Sequence, residues 1–145
     1  MGSLTILLDN SDPLDEVANS IGLAFNIPLI ENPTGAYNEY PGYEVKFEGS
    51  EGGHIRLLGS PADAYLMEEI NSPYSEEEMQ YSLVLVFYGD LPCQTQSSMI
   101  FSSLAADELC MQIINLLINK KVKIYKKKNP RWVGGGGQYI EYPIA

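Results

Sequence analysis

Few residues in this chain have the type and spacing that chemistry requires. His54 is the single histidine among 145 residues, and histidine is the side chain most often used for general acid–base work. It follows a glycine turn, with no GxSxG nucleophile elbow in the chain and no second histidine to complete a metal-ligand spacing. A place at the edge of a strand accounts for it. Carboxylate neighbours such as Glu68 with Glu69, or Glu76 to Glu78, could act as an acid catalyst if burial raised one pKa. In a chain with nineteen acids such neighbours arise by composition. The run Asp9-Asn10-Ser11-Asp12 begins like a calcium loop, but the glycine and terminal glutamate such a loop needs are missing at their offsets. A helix cap by Asp12 explains it. The glycines at 134–137 lack the GK[ST] of a phosphate loop and precede no amphipathic helix, so they read as a flexible link. The expectation is therefore no catalytic residue, no metal ligand and no cofactor: a protein that is not an enzyme.

What remains is charge. Residues 1–119 hold eighteen acids against Lys46 and Arg56, a net −16, and residues 120–131 hold seven bases, a net +7. Glu141 brings the chain to −10. A field of that size repels nucleic acid and anionic lipid and attracts a basic partner. The acids coincide twice with tyrosines, in 31–44 and in 63–81. Tyrosine is enriched at interface hot spots, and complementary charge speeds association. The candidate partner-binding residues are Tyr37, Glu39, Tyr40 and Glu44 in the first stretch. In the second they are Tyr65, Glu68, Glu69, Tyr74, Glu76, Glu77 and Glu78. The alternative is a solvated acidic surface kept for solubility. The basic segment mixes lysines with Tyr125 and Trp132, a combination that can hold single-stranded nucleic acid. Protection of a sheet edge, a helix C-terminus, neutralisation of the acidic body or contact with a second subunit explain the same lysines, and nucleic-acid binding is not expected.

Elements must position these groups. Leu4 to Leu8 reads as a buried strand, and Asp12-Pro13 as the cap and first position of a helix whose stripe is Leu14, Val17, Ala18, Ile21 and Phe25. Gly22 weakens that helix. Residues 31–42 read as loop. Tyr43, Val45 and Phe47 alternate with charged residues, and with His54 to Leu58 they form a hairpin. Residues 64–70 predict a short helix and 72–78 a loop or a frayed turn. Tyr81 to Tyr88, apolar except for Ser82, predicts a central strand, and 99–101 a further short one. A second long helix, capped by Ser103, carries Leu109, Ile113, Leu116 and Leu117 and ends near Asn119. Val122 and Ile124 then alternate with lysines as a last strand.

This order predicts an α+β fold: a mixed or antiparallel sheet of about five strands, packed on one face by two main helices. The expected organisation is one domain over 1–133 with a Gly-linked tail over 134–145. A chain of this length buries roughly two-thirds of its unfolded surface, so it needs neither metal nor disulfide. Cys93 and Cys110 are expected to be reduced thiols. The first eight residues lack the basic start of a signal peptide, and no apolar run approaches a membrane span. The expectation is a soluble, cytoplasmic protein.

In small size, strong acidity, an α+β order opening on Ser3-Leu4-Thr5-Ile6-Leu7-Leu8, and tyrosine–carboxylate loops, the chain resembles the immunity proteins of bacterial polymorphic-toxin and contact-dependent inhibition systems. The resemblance spans the chain in general character, without a diagnostic motif. It implies a non-catalytic cytoplasmic protein that binds a cognate toxin domain, often a basic nuclease, and blocks it. An acidic secretion chaperone of the type III kind is similar in size and charge, but such chaperones usually open on a helix and this chain opens on a strand. A small enzyme would need a cleft around His54 or a carboxylate.

Overall fold

The computed structural model describes residues 2–32, 42–46, 53–60, 75–87, 106–134 and 139–143. The strands are β1 (Gly2–Leu8), β2 (Ile30–Asn32), β3 (Gly42–Lys46), β4 (His54–Leu58), β5 (Tyr81–Phe87), β6 (Arg131–Gly134) and β7 (Tyr139–Glu141). The helices are α1 (Leu14–Phe25) and α2 (Ala106–Asn119). All strand pairs are antiparallel, in the order β2-β3-β4-β5-β1-β6-β7. The α+β class holds, with seven strands among the described residues rather than about five. The expected helix at 64–70, the short strand at 99–101 and the Ser103 cap lie outside the described residues.

Alternation decides which face is covered. Leu4, Ile6 and Leu8 of β1 oppose Leu85, Leu83 and Tyr81 of β5, which in turn oppose Ile55 and Leu57 of β4. All are buried, and they form one cluster with Val17, Ala18, Ile21 and Phe25 of α1 and Cys110, Ile113, Ile114 and Leu117 of α2. Both helices therefore pack on one face, and each fully buried aliphatic side chain contributes roughly 1.5–3 kcal/mol. The other face carries Ser3, Thr5, Arg56, Val84 and Arg131, all half-buried. β5 sits fourth of seven, the central place its apolar sequence predicts. Cys110 is a thiol buried in this core.

Two glycines serve close packing. A Cβ at Gly2 would overlap the ring of Trp132, which lies buried on β6. A Cβ at Gly22 would stand 3.1 Å from the Ile27 carbonyl oxygen and 3.5 Å from Pro28 Cα. Gly22 thus weakens α1 locally but lets the chain turn back against it.

Both helices end in Schellman motifs, where two backbone N–H groups return to carbonyls of the last turn. After α1 the N–H groups of Asn26 and Ile27 donate to Leu23 and Gly22. After α2 those of Lys121 and Val122 donate to Ile118 and Leu117. The pivots are left-handed: Asn26 at φ 55° and Lys121 at φ 62°. Asparagine tolerates that region. For lysine it costs roughly 1–2 kcal/mol, more than the roughly 0.3–1 kcal/mol a cation gains at a helix C-terminus.

Four local expectations are corrected. Pro13, not Asp12, takes the cap position of α1, and no side-chain cap bond is made. Long-range partners claim Asp12 instead: its carbonyl accepts from the Tyr81 hydroxyl at 2.7 Å, and its carboxylate lies 3.2 Å from Lys123 Nζ. Residues 30–32 pair as β2, so Glu31 and Asn32, read from sequence as loop, belong to the sheet. Val122 and Ile124 form no strand. Lys121 turns the chain, and the segment touches β1 through one bridge, Leu8 to Ile124. Tyr139–Glu141, read from sequence as part of the aromatic tail, pairs with β6 as the last strand. The pairing sets Ile140 opposite Trp132 and so extends the core.

Candidate functional site

The β2 edge of the sheet brings acids and apolar groups together. Pro28 lies just before β2, and Glu31 stands directly opposite Tyr43 in the register. Tyr43 opposes Leu57 of the core, so Tyr43 and Glu31 share the helix-covered face. There a groove of about 360 Å³ runs between α1, the 26–29 connection and β3. Asp15, Leu23, Leu29 and Tyr43 are among its lining residues. Leu23 is 71% exposed beside it. The Tyr43 hydroxyl is pushed above its ordinary pKa by burial first, then by the negative charges of Glu31 and Asp15. Burial and two carboxylates thus act on the same hydroxyl. On the opposite face of the same edge, Ile30 is 63% exposed and stands opposite Glu44, which in turn stands opposite Arg56.

The second acidic stretch is held differently. A polar network fastens residues 75–80 to the loop after β1. The Asn10 amide N–H donates to Gln80 Oε1 at 3.2 Å, and Asn10 Nδ2 donates to the Met79 carbonyl at 3.1 Å. Gln80 Nε2 donates to the Glu76 carbonyl at 2.8 Å, and the Ser60 hydroxyl donates to the Met79 carbonyl. Glu76 and Glu77 then meet the basic segment. Lys127 Nζ lies 3.0 and 3.1 Å from the two Glu76 oxygens, and Lys128 Nζ lies 3.3 Å from Glu77. The Glu76 carboxylate holds the Lys127 ammonium above its usual pKa, first through the hydrogen bond and then through charge. Glu78 is taken up locally: its Oε1 accepts from the Ser75 N–H at 3.3 Å, and its own N–H donates to the Ser75 hydroxyl at 3.2 Å.

Of the residues read from sequence, Glu44, Glu76, Glu77 and Glu78 are described; Tyr37, Glu39, Tyr40, Tyr65, Glu68, Glu69 and Tyr74 lie outside the described residues. The structure does not gather the four. Glu44 belongs to the β2 edge and the others to the turn before β5. Sequence reasoning passed over Asp15, Leu23 and Ile30, and it included Glu31 and Tyr43 only as members of the stretch 31–44. Leu23 carries a signal: it is a large apolar residue off the buried stripe of α1. His54 begins β4, opposite Lys46 and Val86. Among the described residues no group of three or more His, Cys, Asp or Glu could hold a metal ion, and no helix is long and apolar enough to cross a membrane. No family model, no curated protein and no solved structure matches the chain.

Proposed function

We propose that this chain is a non-catalytic binding protein that neutralises a basic protein domain, in the manner of a bacterial immunity protein acting on its cognate toxin. The observation that carries the reading is the β2-edge groove, lined by Leu23, Leu29, Tyr43 and the carboxylate of Asp15, with Glu31 opposite Tyr43 in the register and its charge acting on the Tyr43 hydroxyl. A lysine or arginine of the partner sits between those carboxylates while its aliphatic stem covers Leu23. If the partner is a nuclease, the carboxylates take the places that substrate phosphates would occupy. The −10 of the whole chain speeds encounter with a basic partner.

The test is stopped-flow association with the basic domain that co-purifies with the chain. The on-rate should fall steeply between low and physiological salt. Glu31→Lys and Asp15→Lys should each slow association by about tenfold or more, and Leu23→Asp should speed dissociation. An on-rate indifferent to salt and to both charge reversals would sink the proposal.

A further inference from the structure

We propose that a second groove, at the end of α2, binds a small phosphate-bearing ligand. This inference is independent of the β2 edge. The groove encloses about 560 Å³, within the ordinary range for a small-molecule site. Its floor is apolar, formed by the buried Val122, Ile124 and Tyr125, and Ile118 stands 45% exposed at its wall. Four lysines line it: Lys121, Lys123, Lys126 and Lys127. Asp9 and Glu76 also line it, each already set against a lysine. Lys123 pairs with Asp12 and Lys127 with Glu76. Among the described residues Lys121 and Lys126 make no ion pair.

The backbone adds an independent observation. Lys121 occupies the left-handed pivot of the Schellman turn, where glycine is the usual residue. Lysine there costs more than its charge returns at a helix end, so local stability does not account for the choice. Strain of this kind collects at functional positions. The pivot fixes where the Lys121 side chain leaves the backbone, at the rim of the groove.

The type of base points to the ligand. Planar carboxylates are best matched by the forked guanidinium of arginine, and no arginine lines the groove. Ammonium groups are point charges, suited to an oxoanion that presents three oxygens and up to two charges. The acidic body excludes a long polyanion, whose further phosphates would meet carboxylates outside the groove.

The experiment is calorimetry together with amide NMR on the full chain, using inorganic pyrophosphate, adenosine diphosphate, citrate and a ten-nucleotide single strand. Pyrophosphate and adenosine diphosphate should bind saturably, with shifts confined to residues near 118–127, and citrate about tenfold more weakly. Lys126→Gln should weaken pyrophosphate binding about tenfold. Lys121→Gly should weaken it similarly while raising the thermal midpoint, a combination that a purely structural lysine would not give. Unsaturable shifts, equal binding of citrate, tighter binding of the oligonucleotide than of adenosine diphosphate, or full affinity in Lys121→Gly would each overturn the assignment.

Discussion

Gly2→Ala tests the packing at the centre of the sheet through a probe the sequence supplies. Trp132 is the only tryptophan, it is 6% exposed, and its ring lies where an alanine methyl at position 2 would be. Forcing one methyl into a packed core costs about 1–3 kcal/mol. Replacing glycine by alanine in a strand returns about 0.5–1 kcal/mol. The net loss centres on about 1 kcal/mol and reaches about 2.5 kcal/mol, which in a chain of this size lowers the midpoint by about 3–8 °C. Because the fluorescence of the native chain comes from one buried indole, the same samples report where the strain goes. The ring should move outward and the emission shift to the red before unfolding begins. Ser3→Ala, on the opposite face of β1, is the control and should stay within about 0.5 kcal/mol. If Gly2→Ala matched the wild type in both midpoint and emission, Trp132 would not be seated over Gly2, and the β1–β6 packing described above would be wrong.

Three further outcomes follow from the electrostatics. Tyr43 should stay protonated above the ordinary tyrosine pKa of 10.0. Its contribution to stability is thus present below that value and lost as pH rises through the higher folded pKa. Carbon-13 NMR of the tyrosine ring should show this pKa falling in Glu31→Gln, and falling again when a basic partner binds. Asp9 is held below the ordinary carboxylate value of 3.8, first by its hydrogen bonds from Ser11 and then by Lys123. Its contribution is present above that pH and lost as pH falls through the lower folded pKa, so Asp9→Asn should flatten the acid limb of the stability curve followed by circular dichroism. The Lys127–Glu76 and Lys128–Glu77 pairs are solvent-exposed. Removing each lysine as glutamine should therefore change denaturant stability by less than about 1 kcal/mol.

The strands and helices that sequence reveals are those whose evidence is local. β1, β5 and α2 announce themselves through apolar runs or a stripe at helical spacing. The β3–β4 hairpin does so through alternation. The misreadings occur where a distant partner decides. Asp12 reads as a cap because caps are a local property, but Tyr81 and Lys123 reach it from elsewhere. Val122 and Ile124 alternate like a strand, but the turn at Lys121 and the bridge to Leu8 set their path. β2 and β7 are three residues each, too short for periodicity, and exist because β3 and β6 offer pairing. The candidate site was legible to the same degree. Of the acid–tyrosine stretch 31–44, Tyr43 lines the groove and Glu44 lies on the opposite face, and Asp15 joins Tyr43 only through the packing of α1. Pairing of Glu76 and Glu77 with lysines 51 residues later has no local signature.

The place of β1 has a consequence for synthesis. It is made before the other described strands, yet its hydrogen-bonding partners are residues 81–87 and 131–134. As the chain leaves the ribosome, an apolar strand must wait with both edges open until residues 81–87 have emerged, and with one edge open until residues 131–134 follow. Early-formed hairpins cannot close the sheet, because its centre joins the first strand to nearly the last. Non-local pairing of this kind slows folding and prolongs exposure to aggregation. During that wait the chain's strong negative charge keeps nascent copies apart. The acidity proposed to serve recognition in the finished molecule thus also protects the unfinished one from its own copies.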